Sequence, residues 1–325
     1  MVDSPAIDPA AIDPSRFAVH HASPRGFSQA YVREGVGGVP LVLVHGWPET
    51  KRIFWRVIAP LAAAGFEVIV PDLRGFGDSD VAPDGWRDVP SMARDLHALV
   101  HDHLGHERVV LAGGDLGGPV VQDLALRHPD WVDRMVVFNS PLPFDKERMA
   151  GMRTRPAREA SDYFVRQGTD ADALAAELAT PEARRRYIAT FYTSRFWAHP
   201  GAFADPAAPP GRLGGSAAVD FHTEPFADAT KLRASFGGYE SSFDPTKRSE
   251  PGLLARNDRT RTLLLFGTSD HVLYPDFDRM AAVVFGDHVG PFLLRDCGHF
   301  VPWEAPHAFA SGVAAFCSDL LAARR

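Results

Sequence analysis

The stretch Leu111-Ala112-Gly113-Gly114-Asp115-Leu116-Gly117-Gly118 decides how this chain is read. An apolar strand over Arg108–Ala112 runs into it, and a helix over Gly117–His128 leaves it at once. Glycines stand two residues before and two residues after Asp115. A strand that folds straight back into a helix needs small residues at those two places, because backbone passes close to backbone. Such a turn lifts its central side chain out at the top of a sheet. Serine is the usual occupant; here it is Asp115. Aspartate is also a favoured helix N-cap. A cap has no need of small residues on both sides, so Asp115 reads as a nucleophile.

The flanking sequence supplies the rest of a sheet. Phe27–Glu34, Val39–Val44, Glu67–Val70, Met135–Phe138, Thr262–Phe266 and Pro291–Leu294 read as strands. Val89–Leu104 carries helical periodicity through Met92, Leu96, Leu99, Val100 and Leu104, and Phe277–Phe285 and Ala305–Leu321 read as helices. Near-continuous apolar strands alternating with helices predict an α/β fold with a mostly parallel, doubly wound sheet covered on both faces. Between residues 141 and 259 strand-like runs vanish. Helical segments (Asp170–Leu178, Pro181–Phe191, Thr223–Phe236) alternate there with turns such as His199-Pro200-Gly201. We read 1–26 as an N-terminal extension with an extended, Pro-punctuated arm, 27–140 and 260–325 as one core, and 141–259 as a helical cap. The cap is expected over the carboxyl ends of the strands, where open α/β sheets bind ligands.

Composition excludes several classes. Of 325 residues, 45% are hydrophobic and 23% charged, which rules out disorder as the main state. A formal charge of -7 argues against a nucleic-acid partner. The arginines at 153–158 and 184–186 read as solvated helix faces. Two cysteines, Cys297 and Cys317, exclude a disulfide framework, and no Cys/His spacing suggests structural zinc. The longest apolar runs are too short to cross a bilayer, and the acidic start has no secretory pattern, so the expected location is cytoplasmic.

Three further elements join Asp115. Leu263–Asp270 is a strand ending in an exposed acid, Asp270. Arg295–Phe300 is a strand followed by a Gly298-His299 turn. With 14 histidines in the chain a lone one means little; the ordered set of nucleophile, acid and histidine is what counts. His45-Gly46-Trp47-Pro48 follows another apolar strand. Its turn would aim the Trp47 backbone N–H at the group held by Asp115, and the Leu116 N–H would be the second donor of an oxyanion hole. The alternative for His45–Pro48 is a surface turn. Asp72 is expected to shape its turn, and Glu49 lies near a strand end. Trp47, Phe164, Phe191, Tyr192, Phe196 and Trp197 supply either an apolar pocket or core packing. We assign His45, Pro48, Phe164 and Trp197 to the pocket.

Taken together, His45–Glu49, Pro71–Ser79, Gly113–Gly118, Asp270 and Gly298-His299 resemble an epoxide hydrolase of the α/β-hydrolase fold. The related haloalkane and haloacetate dehalogenases share much of the pattern. The resemblance runs over nearly the whole chain from about residue 27. It implies two cap tyrosines that hydrogen-bond the epoxide oxygen. Ala234–Ser241 is similar to the second tyrosine segment and carries Tyr239. The first tyrosine position falls near Ala160, with Tyr163 about one helical turn on. Gly114 stands where the family often has His. Leu116 stands where haloalkane dehalogenases have a Trp and haloacetate dehalogenases an Arg.

The chemistry follows from the nucleophile. A carboxylate with an unperturbed pKa of about 3.9 is ionised without help and attacks an electrophilic sp³ carbon directly. On an ester carbonyl it would give an anhydride, which disfavours esterase chemistry. The expected reaction converts an epoxide into a vicinal diol through an ester on Asp115. His299 would activate the hydrolytic water, Asp270 would orient His299, and Tyr239 and Tyr163 would assist the leaving oxygen, with no metal or cofactor. The alternatives are a dehalogenase using the same Asp, or a binding protein that has lost its chemistry. The implied partner is a small-molecule epoxide, with no nucleic acid or membrane, and homodimerisation is left open. The Ala/Arg/Gly/Asp-rich composition suggests a high-GC bacterial source.

Overall fold

A computed structural model describes residues 12–156, 158–204 and 213–324, with the side chains of 158–161 outside that description. Eight strands form one sheet: β1 (Val19–Ala22), β2 (Gln29–Glu34), β3 (Val39–Val44), β4 (Phe66–Pro71), β5 (Val109–Gly114), β6 (Val132–Phe138), β7 (Arg261–Gly267) and β8 (His288–Leu294). Their order is β1-β2-β4-β3-β5-β6-β7-β8. β1 with β2 and β2 with β4 are antiparallel, and every later pairing is parallel. The order reverses around β3 and β4, leaving β3 and β5 side by side in the middle. β3, β4 and β5 are buried at every residue, as strands covered on both faces must be.

Helices α1 (Ile58–Ala63), α2 (Val89–His97) and α3 (Gly117–Arg127) accompany the first parallel strands. α2 starts on Asp88, whose side chain accepts from the Ser91 N–H at 3.1 Å, with Pro90 in the first turn. The expected helix to Leu104 continues instead as a π-helical segment, Ala98–His103. Between β6 and β7 come α4 (Arg158–Thr169), α5 (Ala171–Glu177), α6 (Pro181–Tyr192), α7 (Ala217–Thr223), α8 (Ala229–Ser235) and α9 (Gly237–Phe243). Then α10 (Phe277–Val284) links β7 to β8, and α11 (Val301–Glu304), α12 (Pro306–Phe316) and α13 (Ser318–Ala322) follow. Among the described residues no helix is long and apolar enough to cross a membrane.

Several expectations change. The sheet begins at Val19, inside the stretch read as an extension. There the Trp55 Nε1–H reaches the Asp13 carbonyl at 2.9 Å and Phe17 meets the Trp55 ring edge-on at 5.2 Å. Ala6–Pro9 of the arm lie outside the described residues. The single helix expected over Thr223–Phe236 is broken, because Pro225 lacks an N–H and Asp228 caps a new start, accepting from Thr230 and Lys231. Ala305–Leu321 is likewise split, with Pro306 in the first turn of α12 and a break at Cys317. Of the arginines read as solvated, Arg186 is exposed and pairs with Glu182 one turn away at 2.6 Å. Arg184 is buried. It donates to the carbonyls of Ala227, Leu178 and Ala179 at 2.7–3.0 Å and so ties three segments of the insertion together.

Candidate active site

Asp115 sits in the turn between β5 and α3 with φ +43, a left-handed conformation that side chains other than glycine seldom adopt. Close packing explains the flanking residues. A Cβ on Gly113 would lie 2.5 Å from the Gly117 carbonyl oxygen, and one on Gly117 would lie 2.2 Å from that of Val44. The carboxylate is thereby held at the carboxyl end of the sheet. Its Oδ1 accepts from the Trp47 N–H at 2.7 Å and the Leu116 N–H at 2.6 Å. Its Oδ2 lies 3.2 Å from His299 Nε2, without the alignment of a proper hydrogen bond.

His299 Nδ1 meets Asp270 Oδ2 at 2.8 Å. Burial alone would push this imidazole down, but the Asp270 charge, the contact with Asp115 and the Asp115 charge together hold it well above its ordinary value. Asp270 is fixed in turn by the N–H groups of Val272 and Leu273 at 2.7 and 3.3 Å. Asn139 Nδ2 donates to Asp270 Oδ2 at 2.7 Å and to the Gly298 carbonyl at 3.2 Å, and Asn139 Oδ1 accepts from the Gly267 N–H at 2.9 Å. No motif in the sequence marks Asn139. Its place directly after a parallel strand, as Asp115 follows β5, was the available signal. No motif marks Glu304 either. Its buried carboxylate accepts from the N–H groups of Gly298 and His199 on one oxygen and Phe300 on the other, at 2.7–3.0 Å, and so braces the loop that carries His299.

The loop opposite Asp115 is braced as firmly. Glu49 Oε2 accepts from the Gly46 N–H at 2.6 Å, and burial raises Glu49 to about 7. Asp72 is fully buried. It takes the Lys51 N–H and the Asp78 N–H at 2.8 Å and the Lys51 ammonium at 2.6 Å.

Two tyrosines close the site. Tyr163 from α4 and Tyr239 from α9 stand edge to face, with ring centroids 5.8 Å apart. Both contact the Trp47 indole, at 5.5 and 5.6 Å. Burial first, then for Tyr163 the Asp115 charge and for Tyr239 its neighbour Tyr163, hold both phenols well above their ordinary value. They are therefore neutral hydrogen-bond donors. Ala160 lies outside the described side chains.

A cavity of about 1310 Å³ opens between the insertion and the sheet. Asp115, Leu116, Tyr163, Phe164 and Tyr239 line it, with Val272, Leu273 and Tyr274 on the opposite wall. Three residues assigned to the pocket lie elsewhere. His45 is turned inward: its Nδ1 meets the Gly46 carbonyl at 2.8 Å and its Nε2 accepts from the Leu73 N–H at 3.0 Å. Burial keeps that ring neutral by lowering its pKa. The Pro48 carbonyl accepts from the Tyr192 hydroxyl at 2.7 Å, behind the cavity wall. Trp197 stands edge-on against the His299 ring at 4.6 Å, and its carbonyl accepts from the His299 N–H at 2.6 Å. It backs the imidazole and does not form the wall. Cys297 is buried beside this loop, and burial pushes its thiol up, away from nucleophilic character.

Residues 39–306 match the family described as alpha/beta hydrolase fold, and the chain belongs to that family. A soluble epoxide hydrolase of Corynebacterium sp. strain C12 is 42% identical over 120 residues, covering 37% of this chain and 41% of that protein. A haloalkane dehalogenase of Mycolicibacterium paratuberculosis is 34% identical over 199 residues, covering 56% of this chain and 64% of that one. In both cases the match spans less than two thirds of the relative. The solved structure of the epoxide hydrolase CorEH without ligand superposes with a TM-score of 0.76 at 25% identity, covering 94% of this chain and 99% of that one.

Proposed function

We propose that this protein is an epoxide hydrolase that forms a vicinal diol through an ester on Asp115. The observation that carries the reading is the pair of neutral phenols, half-buried Tyr163 and buried Tyr239, lining the same cavity as a carboxylate whose Oδ1 already holds two backbone N–H groups.

Asp115 Oδ2 attacks one epoxide carbon, and the carbon–oxygen bond of the ring breaks with its electrons going to oxygen. A phenol proton meets that oxygen, which would otherwise leave as a basic alkoxide. Esterification removes the charge of Asp115, one of the groups that hold His299 protonated. His299 then falls toward its ordinary value and returns its proton, by way of water, to the tyrosinate. The neutral imidazole takes a proton from a second water, whose oxygen attacks Cγ of the ester. Charge develops on Oδ1, where the N–H groups of Trp47 and Leu116 already point, and each such donor contributes about 3 kcal/mol to lowering the barrier. Collapse breaks the acyl carbon–oxygen bond, and the departing alkoxide takes the remaining carboxyl proton. The carboxylate and the imidazolium are restored.

The dehalogenase reading needs N–H donors around a departing halide. The Trp47 indole N–H is committed to Ser235 Oγ at 3.1 Å, and Leu116 offers no side-chain donor. That observation favours the epoxide. The test is diol formation from a panel of epoxides by the wild type, abolished in Asp115→Asn. Halide release from haloalkanes without diol formation would replace this reading with the second.

A further inference from the structure

One segment of the insertion, residues 196–199, binds both the loop that carries Asp270 and the loop that carries His299. The Phe196 carbonyl accepts from the His271 N–H at 2.8 Å, and the Trp197 carbonyl accepts from the His299 N–H at 2.6 Å. His199 donates its N–H to Glu304 Oε2 at 2.9 Å, the oxygen that also takes the Gly298 N–H at 2.7 Å. The His199 Nδ1 meets Ser269 Oγ at 3.0 Å. The segment passes so close that Gly298 has no room for a side chain. A Cβ there would lie 2.4 Å from the Trp197 carbonyl oxygen and 2.7 Å from the His199 nitrogen.

These bonds fix where the Trp197 indole stands. It is 2% exposed and meets the His299 ring at 4.6 Å and 68°. Among the described residues the only other aromatic ring against that imidazole is Phe300, its chain neighbour, at 5.3 Å. Tyr163 also touches Trp197, at 5.1 Å. The phenol has further support from Trp47, stacked at 5.5 Å and 9°, from Phe191 at 5.3 Å and from Tyr239 at 5.8 Å. Loss of Trp197 therefore leaves the phenol most of its frame and the imidazole little.

The difference matters at one step of the cycle. In the free enzyme Asp270 Oδ2 meets His299 Nδ1 at 2.8 Å, and Asp115 Oδ2 lies 3.2 Å from Nε2. Once Asp115 is an ester it carries no charge to hold Nε2. The imidazole then depends on Asp270 and on the rings packed against it. Rotation about its Cβ–Cγ bond would turn Nε2 away from the water, and a rigid aromatic neighbour opposes that rotation.

We propose that Trp197 is a positioning residue for ester hydrolysis: its backbone segment clasps both loops, and its indole keeps the His299 imidazole aimed at the hydrolytic water while Asp115 is esterified. The inference rests on the epoxide hydrolase reading above.

The test is rapid-quench intact-mass measurement of ester formation and ester hydrolysis in the wild type, Trp197→Phe and Trp197→Leu, with an epoxide as probe. Should Trp197→Leu fail to fold, Trp197→Met, a longer side chain without a flat ring, takes its place. The leucine variant forms the ester close to the wild-type rate and hydrolyses it about tenfold or more slowly, so the adduct accumulates during turnover. Trp197→Phe restores most of the hydrolysis. The low-field proton resonance of the His299 Nδ1–H shared with Asp270 stays sharp in Trp197→Phe and broadens in Trp197→Leu. Hydrolysis at the wild-type rate without the ring, equal slowing of both steps, or a phenylalanine variant no better than leucine overturns the role of Trp197 and leaves the ester mechanism standing. A wild type that forms no ester from any epoxide overturns the epoxide reading and this inference with it.

Discussion

Replacing Tyr239 by Phe removes one hydroxyl and nothing else. Among the described residues that buried hydroxyl bonds no backbone group, so none is orphaned by its loss. Stability should change by about 1 kcal/mol or less. The rate should change far more. Losing one donor to a developing oxyanion costs about 10²–10³ in rate, and since Tyr163 remains, the lower end applies. The loss should fall on ring opening. Ester hydrolysis takes place around Oδ1 and His299 and should stay near the wild-type rate. Rapid-mixing tryptophan fluorescence separates the two steps, because Trp47 touches both phenols. The double variant Tyr163→Phe/Tyr239→Phe should show no measurable opening. Both phenols lie well above their ordinary value, so the opening rate should not fall as pH approaches that of a free phenol, about 10. Opening by Tyr239→Phe at the wild-type rate, or loss of opening well below that pH, would refute the assignment of the phenols.

Other consequences concern the support of the site. In Asp115→Asn the His299 imidazole loses one of its two flanking carboxylates, and its titration followed by NMR should move to lower pH than in the wild type. Asn139→Ala strips one donor from Asp270 and leaves the buried Gly267 N–H without an acceptor. It should cost about 2–4 kcal/mol in urea unfolding and slow ester hydrolysis more than ester formation. Burial would raise Asp72, but the Lys51 charge and the Lys51 hydrogen bonds hold its pKa below the ordinary value. Its contribution is therefore complete above the unfolded value of 3.8 and is lost as pH falls through the depressed folded value. Asp72→Asn should cost roughly 3–5 kcal/mol near neutral pH, because Lys51 keeps only Asp78 as partner, and should flatten the acid limb of the stability profile.

How much of this was legible in the sequence depended on how local the cause was. The turn at Asp115 could be read because its flanking glycines answer a contact between neighbouring backbone segments. β3 was located to the residue because a strand buried on both faces is an unbroken apolar run. β1 was missed because Val19–Ala22 is a short edge strand with His20 and His21 exposed, so it carries no such run. The break at Pro225 and Asp228 was written in the sequence, but the surrounding helical periodicity outweighed it. His45 was assigned to the pocket on its motif alone. Its inward rotation depends on the Leu73 N–H, 28 residues away, which no local pattern records. Asn139 and Glu304 depend on distant partners in the same way.

The most direct test of the account is the intact mass of His299→Gln after incubation with an epoxide. In this variant Asp115 still attacks, but no base activates the hydrolytic water. The account predicts a stable gain equal to one whole epoxide molecule, located on the peptide that carries Asp115. A gain equal to an alkyl group, obtained with haloalkanes and not with epoxides, would contradict it, as would the absence of any adduct on Asp115 across a broad epoxide panel that the wild type converts.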